Sequence, residues 1–275
     1  MLKDSSQPIV DSHVHFWDPA QLTYPWLTDI PPLNRAFLPA QLEEATTAVA
    51  LQKIVFVQAD CLPEHGIAEV AWVTHLAQTE PRLQGMVAFA PLDQGAASAA
   101  YLEQLTAFPL VKGVRRLIQT EAPGFACQPK FIHGVQQLAK LGFSFDLCLV
   151  HAQMGDVIEL VAHCPEVAFV VDHLGKPAIA DQLLEPWATR LHTLARFPNV
   201  WCKLSGLVTE ADHHNWTVAD LRPYLDVALA AFGPQRLMFG GDWPVSTLAT
   251  SYQQWVETVA VLLAELSAGE RRQLF

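Results

Sequence analysis

Basic residues are scarce in this sequence. Its 275 residues include 17 lysines and arginines against 28 aspartates and glutamates, which gives a formal net charge of -11. Nucleic acids and anionic membranes attract extended positive surfaces, so neither is expected as a partner. The shortage leaves room only for a local basic pocket, which suits a small-molecule ligand.

Long apolar runs are missing as well. A membrane-spanning helix needs about 18 or more consecutive apolar residues, and no run in the sequence approaches that length. The opening residues MLKDSSQ are polar and lack the apolar stretch of a signal peptide. We therefore expect a cytoplasmic protein that does not enter a membrane.

Paired cysteines are absent. The five cysteines are odd in number and widely scattered, with no CxxC pair among Cys61, Cys127, Cys148, Cys164 and Cys202. This pattern argues against a disulfide framework, a cysteine zinc site and a dithiol redox site. We expect buried, reduced thiols.

The sequence does contain a regular alternation of two patterns. Short apolar β-like runs alternate with segments whose apolar residues recur at helical spacing. Eight β-like runs lie at residues 8–16, 53–60, 84–92, 111–118, 143–150, 167–174, 199–206 and 236–243. Eight strand–helix units in series predict an α/β protein, a (β/α)8 TIM barrel forming a single domain over residues 1–275. An open doubly wound sheet is the alternative, but no glycine-rich dinucleotide motif follows the first run.

The longest irregular stretch is residues 18–39, directly after the first predicted strand. It is rich in proline and aromatic residues, and with Trp17 just before it the region includes Tyr24 and Trp26. Long loops in compact domains are usually functional or disordered. The aromatic content favours a packed lid.

Polar residues collect where predicted strands end, which in a barrel is the face that carries the active site. His13 and His15 lie two residues apart, so strand alternation points both imidazoles into the lumen. His173 ends the sixth strand in register with Val171. Asp242 ends the eighth, behind two glycines that leave room for close approach. We expect these side chains to converge.

Imidazole nitrogens and carboxylate oxygens are suitable ligands for zinc, and three protein ligands leave an open position for water. The residues therefore predict a metal site built from His13, His15, His173 and Asp242, with Asp242 also suited to act as general base. The alternative for each residue alone is structural, as a hydrogen-bonded histidine or a helix-capping aspartate. Together they favour a functional site, because a buried ionisable cluster is costly unless it is paired or used.

Cations on the strands are candidates for substrate binding. Arg115 and Arg116 are adjacent on the fourth predicted strand and must point to opposite sides, so one of them is expected to face the lumen. There it would bind a carboxylate or hydroxyl-rich substrate, or pair with a barrel carboxylate. Lys203 on the seventh strand is either a substrate donor or a buried partner of Asp242. His151 is a weaker candidate.

Several segments resemble the amidohydrolase superfamily, in particular the branch that includes sugar lactonases and 2-pyrone-4,6-dicarboxylate lactonase. In chain order they are DSHVHFWD with YPWL, KGVRRLIQ, FDL, DHLGKP, KLSGLVTEA and RLMFGGDWPV. Each is weak alone, but in this order and over nearly the whole chain they are specific. The resemblance implies a barrel whose paired histidines are His13 and His15, whose strand-six histidine is His173 and whose strand-eight aspartate is Asp242.

The resemblance also implies hydrolysis of a cyclic ester, and KLSGLVTEADHHNW with DLRPYLDVAL looks closer to the sugar-lactone members. Asp242 would deprotonate water while the histidines or a metal polarise the carbonyl. Two-metal members carry a bridging lysine where this chain has GVRRLI, so the resemblance implies one divalent metal, zinc or manganese, or none. Metal-independent members exist in this branch, so catalysis without metal stays open.

The predicted substrate contacts are the cations Arg115, Arg116 and Lys203 and the aromatic rings of Trp26 and Trp243. Tryptophans would suit stacking on a sugar ring, and packing within the lid is the alternative.

Other functions fit the same residues. A zinc-dependent decarboxylase of the same superfamily would use a similar set of histidines and aspartate, and a pyrone dicarboxylate lactonase would use more basic residues. A non-enzymatic small-molecule-binding barrel would need no general base. The sequence also leaves a homo-oligomer open.

Overall fold

Eight parallel strands form the centre of the structure. The computed structural model describes residues 7–275. Each strand pairs with the next one along the chain, and every pairing is parallel. The strands are β1 (Ile9–Val14), β2 (Leu51–Val57), β3 (Leu83–Phe89), β4 (Val111–Arg115), β5 (Ser144–Leu147), β6 (Phe169–Val171), β7 (Val200–Leu204) and β8 (Leu237–Phe239).

Helices connect the strands and cover the outside of the sheet. They are α1 (Pro39–Ala45), α2 (Gly66–Leu76), α3 (Ala99–Thr106), α4 (Pro129–Gln136), α5 (Leu138–Leu141), α6 (Met154–His163), α7 (Trp187–Ala195), α8 (Val218–Phe232), α9 (Tyr252–Leu262) and α10 (Ala268–Leu274). A sheet covered on both faces needs apolar strands, as the sequence has. Over residues 7–275, no helix is long and apolar enough to cross a membrane.

The barrel closes between β1 and β8 through a few backbone contacts. The His15 N–H donates to the Trp243 carbonyl at 2.8 Å, and the Asp242 N–H donates to the His13 carbonyl at 2.8 Å. Val14 and Trp243 form a parallel bridge at the same place. The (β/α)8 barrel predicted from the sequence is therefore confirmed, and its closing contacts involve residues of the predicted site.

The buried carboxylate of Asp11 ties this seam together. Its Oδ1 accepts the backbone N–H groups of His13 and Gly241, each at 2.8 Å, and its Oδ2 accepts the Tyr252 hydroxyl at 2.8 Å. Close approach explains the glycine: a methyl group at Gly241 would meet Asp11 Oδ2 and, at 2.5 Å, the Tyr252 ring. The sequence predicted that the glycines before Asp242 leave room for a ligand or another backbone, and in the structure the close approach is by side chains of the seam.

The segment 18–39 is packed, as its aromatic content predicts. Trp17 and Phe37 exchange both backbone hydrogen bonds, at 3.1 and 2.9 Å, which closes the segment into a loop. Tyr24 is 5% exposed. Trp26 donates its indole N–H to the Ala59 carbonyl at 2.9 Å, which anchors the loop to the chain that follows β2.

We expect Gly241→Ala to lower the free energy of unfolding by about 1–3 kcal/mol, because an added methyl overpacks the β1–β8 seam. Gly155→Ala in α6 is the matched control, since nothing lies within 4 Å of its added methyl. Alanine is also the better helix former there, by about 1 kcal/mol at most. Urea unfolding followed by circular dichroism measures both variants. Equal midpoints would contradict the close-approach argument.

Candidate active site

His13 and His15 both face the lumen, as strand alternation predicts. Both are buried, and their rings meet edge to face with centroids 4.8 Å apart. Their Nε2 atoms are 3.1 Å apart. His15 Nδ1 lies 2.7 Å from the Val57 carbonyl, and a carbonyl only accepts, so this nitrogen is the donor.

The short distance between the two Nε2 atoms requires a proton or a cation between them. When its only ring hydrogen is on Nδ1, the His15 ring carries a lone pair on Nε2 that faces His13. Without a cation, His13 donates from Nε2, and its Nδ1 accepts from Lys203 Nζ at 3.2 Å. With a cation, the hydrogen of His13 sits on Nδ1, which is 3.3 Å from Asp172 Oδ1. The neighbours of His13 therefore accommodate both protonation patterns.

His173 reaches the site through a left-handed turn. β6 ends at Val171, and the four residues from His173 to Lys176 all have positive φ, of 53°, 52°, 73° and 50°. This corrects the expectation that His173 continues the strand in register with Val171. Left-handed backbone costs about 1–2 kcal/mol for each residue other than glycine, so the surrounding structure must hold it.

Two contacts secure this turn. The Trp187 indole N–H donates to the Leu174 carbonyl at 2.7 Å, and His173 Nδ1 lies 2.8 Å from the Ser205 hydroxyl oxygen. The His173 ring is then 4.5 Å from the His13 ring, measured between centroids. The strained left-handed turn therefore places a third imidazole in the lumen.

Asp242 completes the set. It follows β8 with φ of 52°, another left-handed residue. Its Oδ1 lies 3.5 Å from His15 Nε2, 3.8 Å from His13 Nε2 and 4.0 Å from His173 Nε2. The four residues predicted to converge are brought together.

The charge states of this set follow from burial and from one another. Burial lowers the pKa of His173 to about 4, and burial together with Lys203 holds the pKa of His13 well below its usual value. Burial alone would raise the pKa of Asp242, but the facing imidazoles outweigh it and hold that pKa below its usual range. Near neutral pH, Asp242 is an ionised carboxylate beside neutral His13 and His173.

Four charged side chains of alternating sign lie beneath the imidazoles. Lys203 pairs with Asp146, and with Asp172 at 3.0 Å. Arg115 donates to Asp172 Oδ2 at 3.1 Å and to the Gln58 carbonyl at 2.6 Å. Burial opposes ionisation of Asp172, but Lys203, His13 and Arg115 outweigh it and hold its pKa well below the usual value. The charges of the two cations and the two carboxylates therefore cancel.

Asp146 and Asp172 belong to this buried cluster and were not predicted from the sequence. Both lie in segments quoted for the resemblance, FDL and DHLGKP. The sequence feature that indicates them is the presence of cations on two barrel strands, because two buried cations need two buried acids as partners.

Three predicted substrate contacts are corrected by the structure. Arg116 points away from the lumen and pairs with Asp93 at 3.0 Å and with Glu121 at 2.6 Å. Lys203 is 2% exposed and pairs with acids other than Asp242, so its ammonium is enclosed among buried side chains and is not presented to a substrate.

Trp243 is the third correction. It is 2% exposed and packs edge to face against Phe16 and Phe37, so no face is free to stack on a sugar. Trp26 remains half-buried, with its ring 5.2 Å from that of Trp17. Arg115 faces the lumen, and its Nη1 lies 3.4 Å from His13 Nε2.

Comparison with known proteins identifies the family. The sequence profile of the family described as amidohydrolase matches residues 10–275. The chain belongs to the amidohydrolase family. The resemblance read from the motifs is thereby confirmed.

Relatives of this amidohydrolase include enzymes named for sugar lactones. L-fucono-1,5-lactonase of Burkholderia multivorans is 38% identical over 97% of this chain and 92% of its own length. L-rhamnono-gamma-lactonase of Scheffersomyces stipitis is 25% identical over 70% of this chain and 66% of its own. A crystal structure of an amidohydrolase from Burkholderia multivorans with bound zinc is 36% identical, with a TM-score of 0.87, covering 97% of this chain and 95% of that one.

We expect Asp172→Asn to lower the free energy of unfolding by about 3 kcal/mol or more, because it leaves Arg115 and Lys203 buried with one acid between them. Asp172→Asn combined with Lys203→Met should cost less than the sum of the two single changes, since it removes one charge of each sign. Urea denaturation of the wild type, the two single variants and the double variant gives the coupling free energy between Asp172 and Lys203.

Arg116→Gln is the control for this cycle. Its ion pairs are partly exposed, so the loss should stay below about 1 kcal/mol. If Asp172→Asn is no more costly than Arg116→Gln, the buried charges do not depend on Asp172.

Proposed function

We propose that this amidohydrolase opens the ring of a sugar lactone, an aldono-1,4- or 1,5-lactone, by adding water to its carbonyl. The observation that carries the proposal is the convergence of three imidazole Nε2 atoms on Asp242 Oδ1, at 3.5, 3.8 and 4.0 Å. The relatives named L-fucono-1,5-lactonase and L-rhamnono-gamma-lactonase support the substrate class.

Asp242 is the proposed general base. Its carboxylate is ionised near neutral pH and accepts a proton as water adds to the carbonyl carbon. When the ring carbon–oxygen bond breaks, the same proton passes to the departing ring oxygen, and the product is a hydroxy acid. Arg115 is the proposed donor to the carbonyl oxygen, because its guanidinium faces the lumen with Nη1 3.4 Å from His13 Nε2. His13, His15 and His173 are the remaining catalytic residues of the proposal.

The donor set fits one divalent cation, zinc or manganese. His13, His15 and Asp242 offer ligand atoms within 4.8 Å of one another, and His173 lies beside them. Each imidazole has its Nδ1 held by another group, which is how metal-binding histidines are oriented. A cation held by these residues would act as a Lewis acid on the carbonyl oxygen. Metal-independent catalysis is the alternative, since Arg115 supplies a fixed positive charge.

A second cation does not fit. His13, Asp172 and His173 also lie within ligand distance of one another. The two oxygens of Asp172 already lie beside cations, Oδ2 at 3.1 Å from Arg115 Nη1 and Oδ1 at 3.0 Å from Lys203 Nζ. Another positive ion there would be repelled by two buried cations.

The charges of the lumen favour a neutral substrate. Arg115 and Lys203 are offset by Asp146 and Asp172, and Asp242 adds a negative charge. A decarboxylase or a dicarboxylate lactonase must hold a substrate carboxylate, which requires a cation without a protein partner. A lactone presents a neutral carbonyl and needs none.

Two further expectations remain predictions, a single domain over residues 1–275 and a cytoplasmic location. A homo-oligomeric state stays open. The sugar contact of Trp26 also stays a proposal, supported by its partial exposure.

The reaction is tested by offering two sets of substrates in weakly buffered pH indicator. We expect acid release from aldono-1,4- and 1,5-lactones, and neither turnover nor carbon dioxide from aromatic or pyrone carboxylates. Asp242→Asn should lower kcat on the lactones about a hundredfold or more while circular dichroism shows an intact fold. Turnover of the carboxylates alone would overturn the substrate class. Near-normal turnover by Asp242→Asn would show that Asp242 is not the general base.

Metal content is tested by elemental analysis of purified protein dialysed against zinc or manganese. We expect at most one ion per chain, because the buried cations beside Asp172 exclude a second. If one ion is found, His15→Ala should reduce its occupancy, whereas His214→Ala, at an exposed position, should not. Two ions per chain would refute the mononuclear assignment.

A further inference from the structure

A second polar cluster lies at the C-terminal mouth of the barrel, separate from the catalytic set. We call it the mouth cluster. Its residues follow four successive strands: Gln119 after β4, His151 after β5, Lys176 after β6 and Glu210 after β7. Loops at this end of a (β/α)8 barrel form the substrate-facing surface. None of these residues is needed to explain the chemistry at Asp242.

Lys176 and Glu210 form an incomplete ion pair at the centre of the mouth cluster. Lys176 Nζ donates to Gln119 Oε1 at 2.6 Å, and Glu210 Oε1 lies 3.8 Å from the same nitrogen, beyond hydrogen-bond distance. Both side chains are partly exposed, at 21% and 25%. Within residues 7–275, Lys176 retains two N–H donors and the Glu210 carboxylate accepts no hydrogen bond. The pair therefore has free donors and free acceptors side by side.

The backbone of Lys176 is held firmly although its side chain has free donors. The Lys176 N–H donates to the His173 carbonyl at 2.9 Å, and its own carbonyl lies 3.1 Å from His151 Nδ1, the donor. Its φ of 50° makes it the last residue of the left-handed turn that begins at His173. The turn that brings His173 to Asp242 thus also positions Lys176, three residues later.

Glu210 is connected to the catalytic residues on its own side. The short helical turn Leu207–Glu210 begins directly after Gly206. A methyl at Gly206 would meet His173 Nδ1 at 2.5 Å and Asp242 Oδ2 at 3.2 Å, so the start of this turn touches both. Its other end is fixed by the Ala180 N–H, which donates to the Glu210 carbonyl at 2.9 Å.

We propose that Lys176 and Glu210 form the subsite that binds the ring hydroxyls of the lactone. A hydroxyl group accepts one hydrogen bond and donates another, and it fits between an ammonium and a carboxylate that do not bond directly. Adjacent ring hydroxyls would bridge Lys176 to Glu210 while the carbonyl lies at Asp242. This subsite rests on the proposed lactonase function. It adds a selectivity for lactones whose rings carry hydroxyl groups over lactones whose rings carry none.

The test compares a sugar 1,5-lactone with δ-valerolactone, which has the same ring and no hydroxyls. Lys176→Met should lower kcat/KM on the sugar lactone about tenfold or more and leave δ-valerolactone within about twofold. Glu210→Gln, which keeps the size of the side chain, should change selectivity in the same direction. Lys140→Met, at an exposed lysine of α5, should change neither substrate. Equal losses on both substrates would overturn the subsite, because they indicate a general structural role.

A binding experiment separates this subsite from the proposed reaction. A 1,5-anhydroalditol has the ring hydroxyls of the sugar lactone and no ester, and calorimetry measures its Kd. We expect the wild type to bind it and both Lys176→Met and Glu210→Gln to raise the Kd about tenfold. Binding with this loss but no turnover of any lactone would support the subsite and refute the reaction. Lactone turnover with unchanged selectivity and Kd in both variants would refute the subsite alone.

Discussion

The carboxylate of Asp172 is shared among three buried partners, Arg115, Lys203 and His13. Together they bring side chains of β1, β4 and β7 to the end of β6. Without Asp172, two cations inside the barrel would share one acid, at a cost of several kcal/mol. The ring of His13 would also lose the group that can accept its Nδ1 hydrogen. The stability of the barrel interior and the orientation of its first imidazole thus depend on one charge balance.

The seam between β1 and β8 positions the paired histidines relative to Asp242. Asp11 holds the backbone of His13 and of Gly241, so one buried side chain sets the distance between the paired histidines and Asp242. Glycine at position 241 is required by that contact, because Asp11 and Tyr252 fill the space of a side chain. A barrel normally closes through a full ladder of hydrogen bonds. Here closure is concentrated beside the proposed general base, and the same contacts serve the fold and the chemistry.

The sequence predicts some features well because they depend on local pattern. Apolar periodicity locates all eight strands, and alternation alone orients His13 and His15. Features that depend on distant partners escape it. Adjacent arginines 115 and 116 must face opposite ways, but only the acids Asp172 and Glu121 decide which one faces the lumen. The prediction that Trp243 contacts the substrate was wrong for the same reason, because the rings that bury it, Phe16 and Phe37, come from distant segments of the chain.

The left-handed turn from His173 to Lys176 was equally hidden, because DHLGKP has glycine at only one of its four positive-φ residues. The turn joins the His173 imidazole to the Lys176 ammonium by a fixed three-residue spacing. An insertion, a deletion or a change at Leu174 would move both groups at once. Changes to the backbone of this turn would therefore disturb the proposed catalytic geometry and the proposed subsite together, whereas substitution of the Lys176 side chain leaves the path of the backbone unchanged. New specificities in related chains would therefore arise from the side chain at position 176 and from the loops that supply Gln119 and Glu210, which lie outside the left-handed turn.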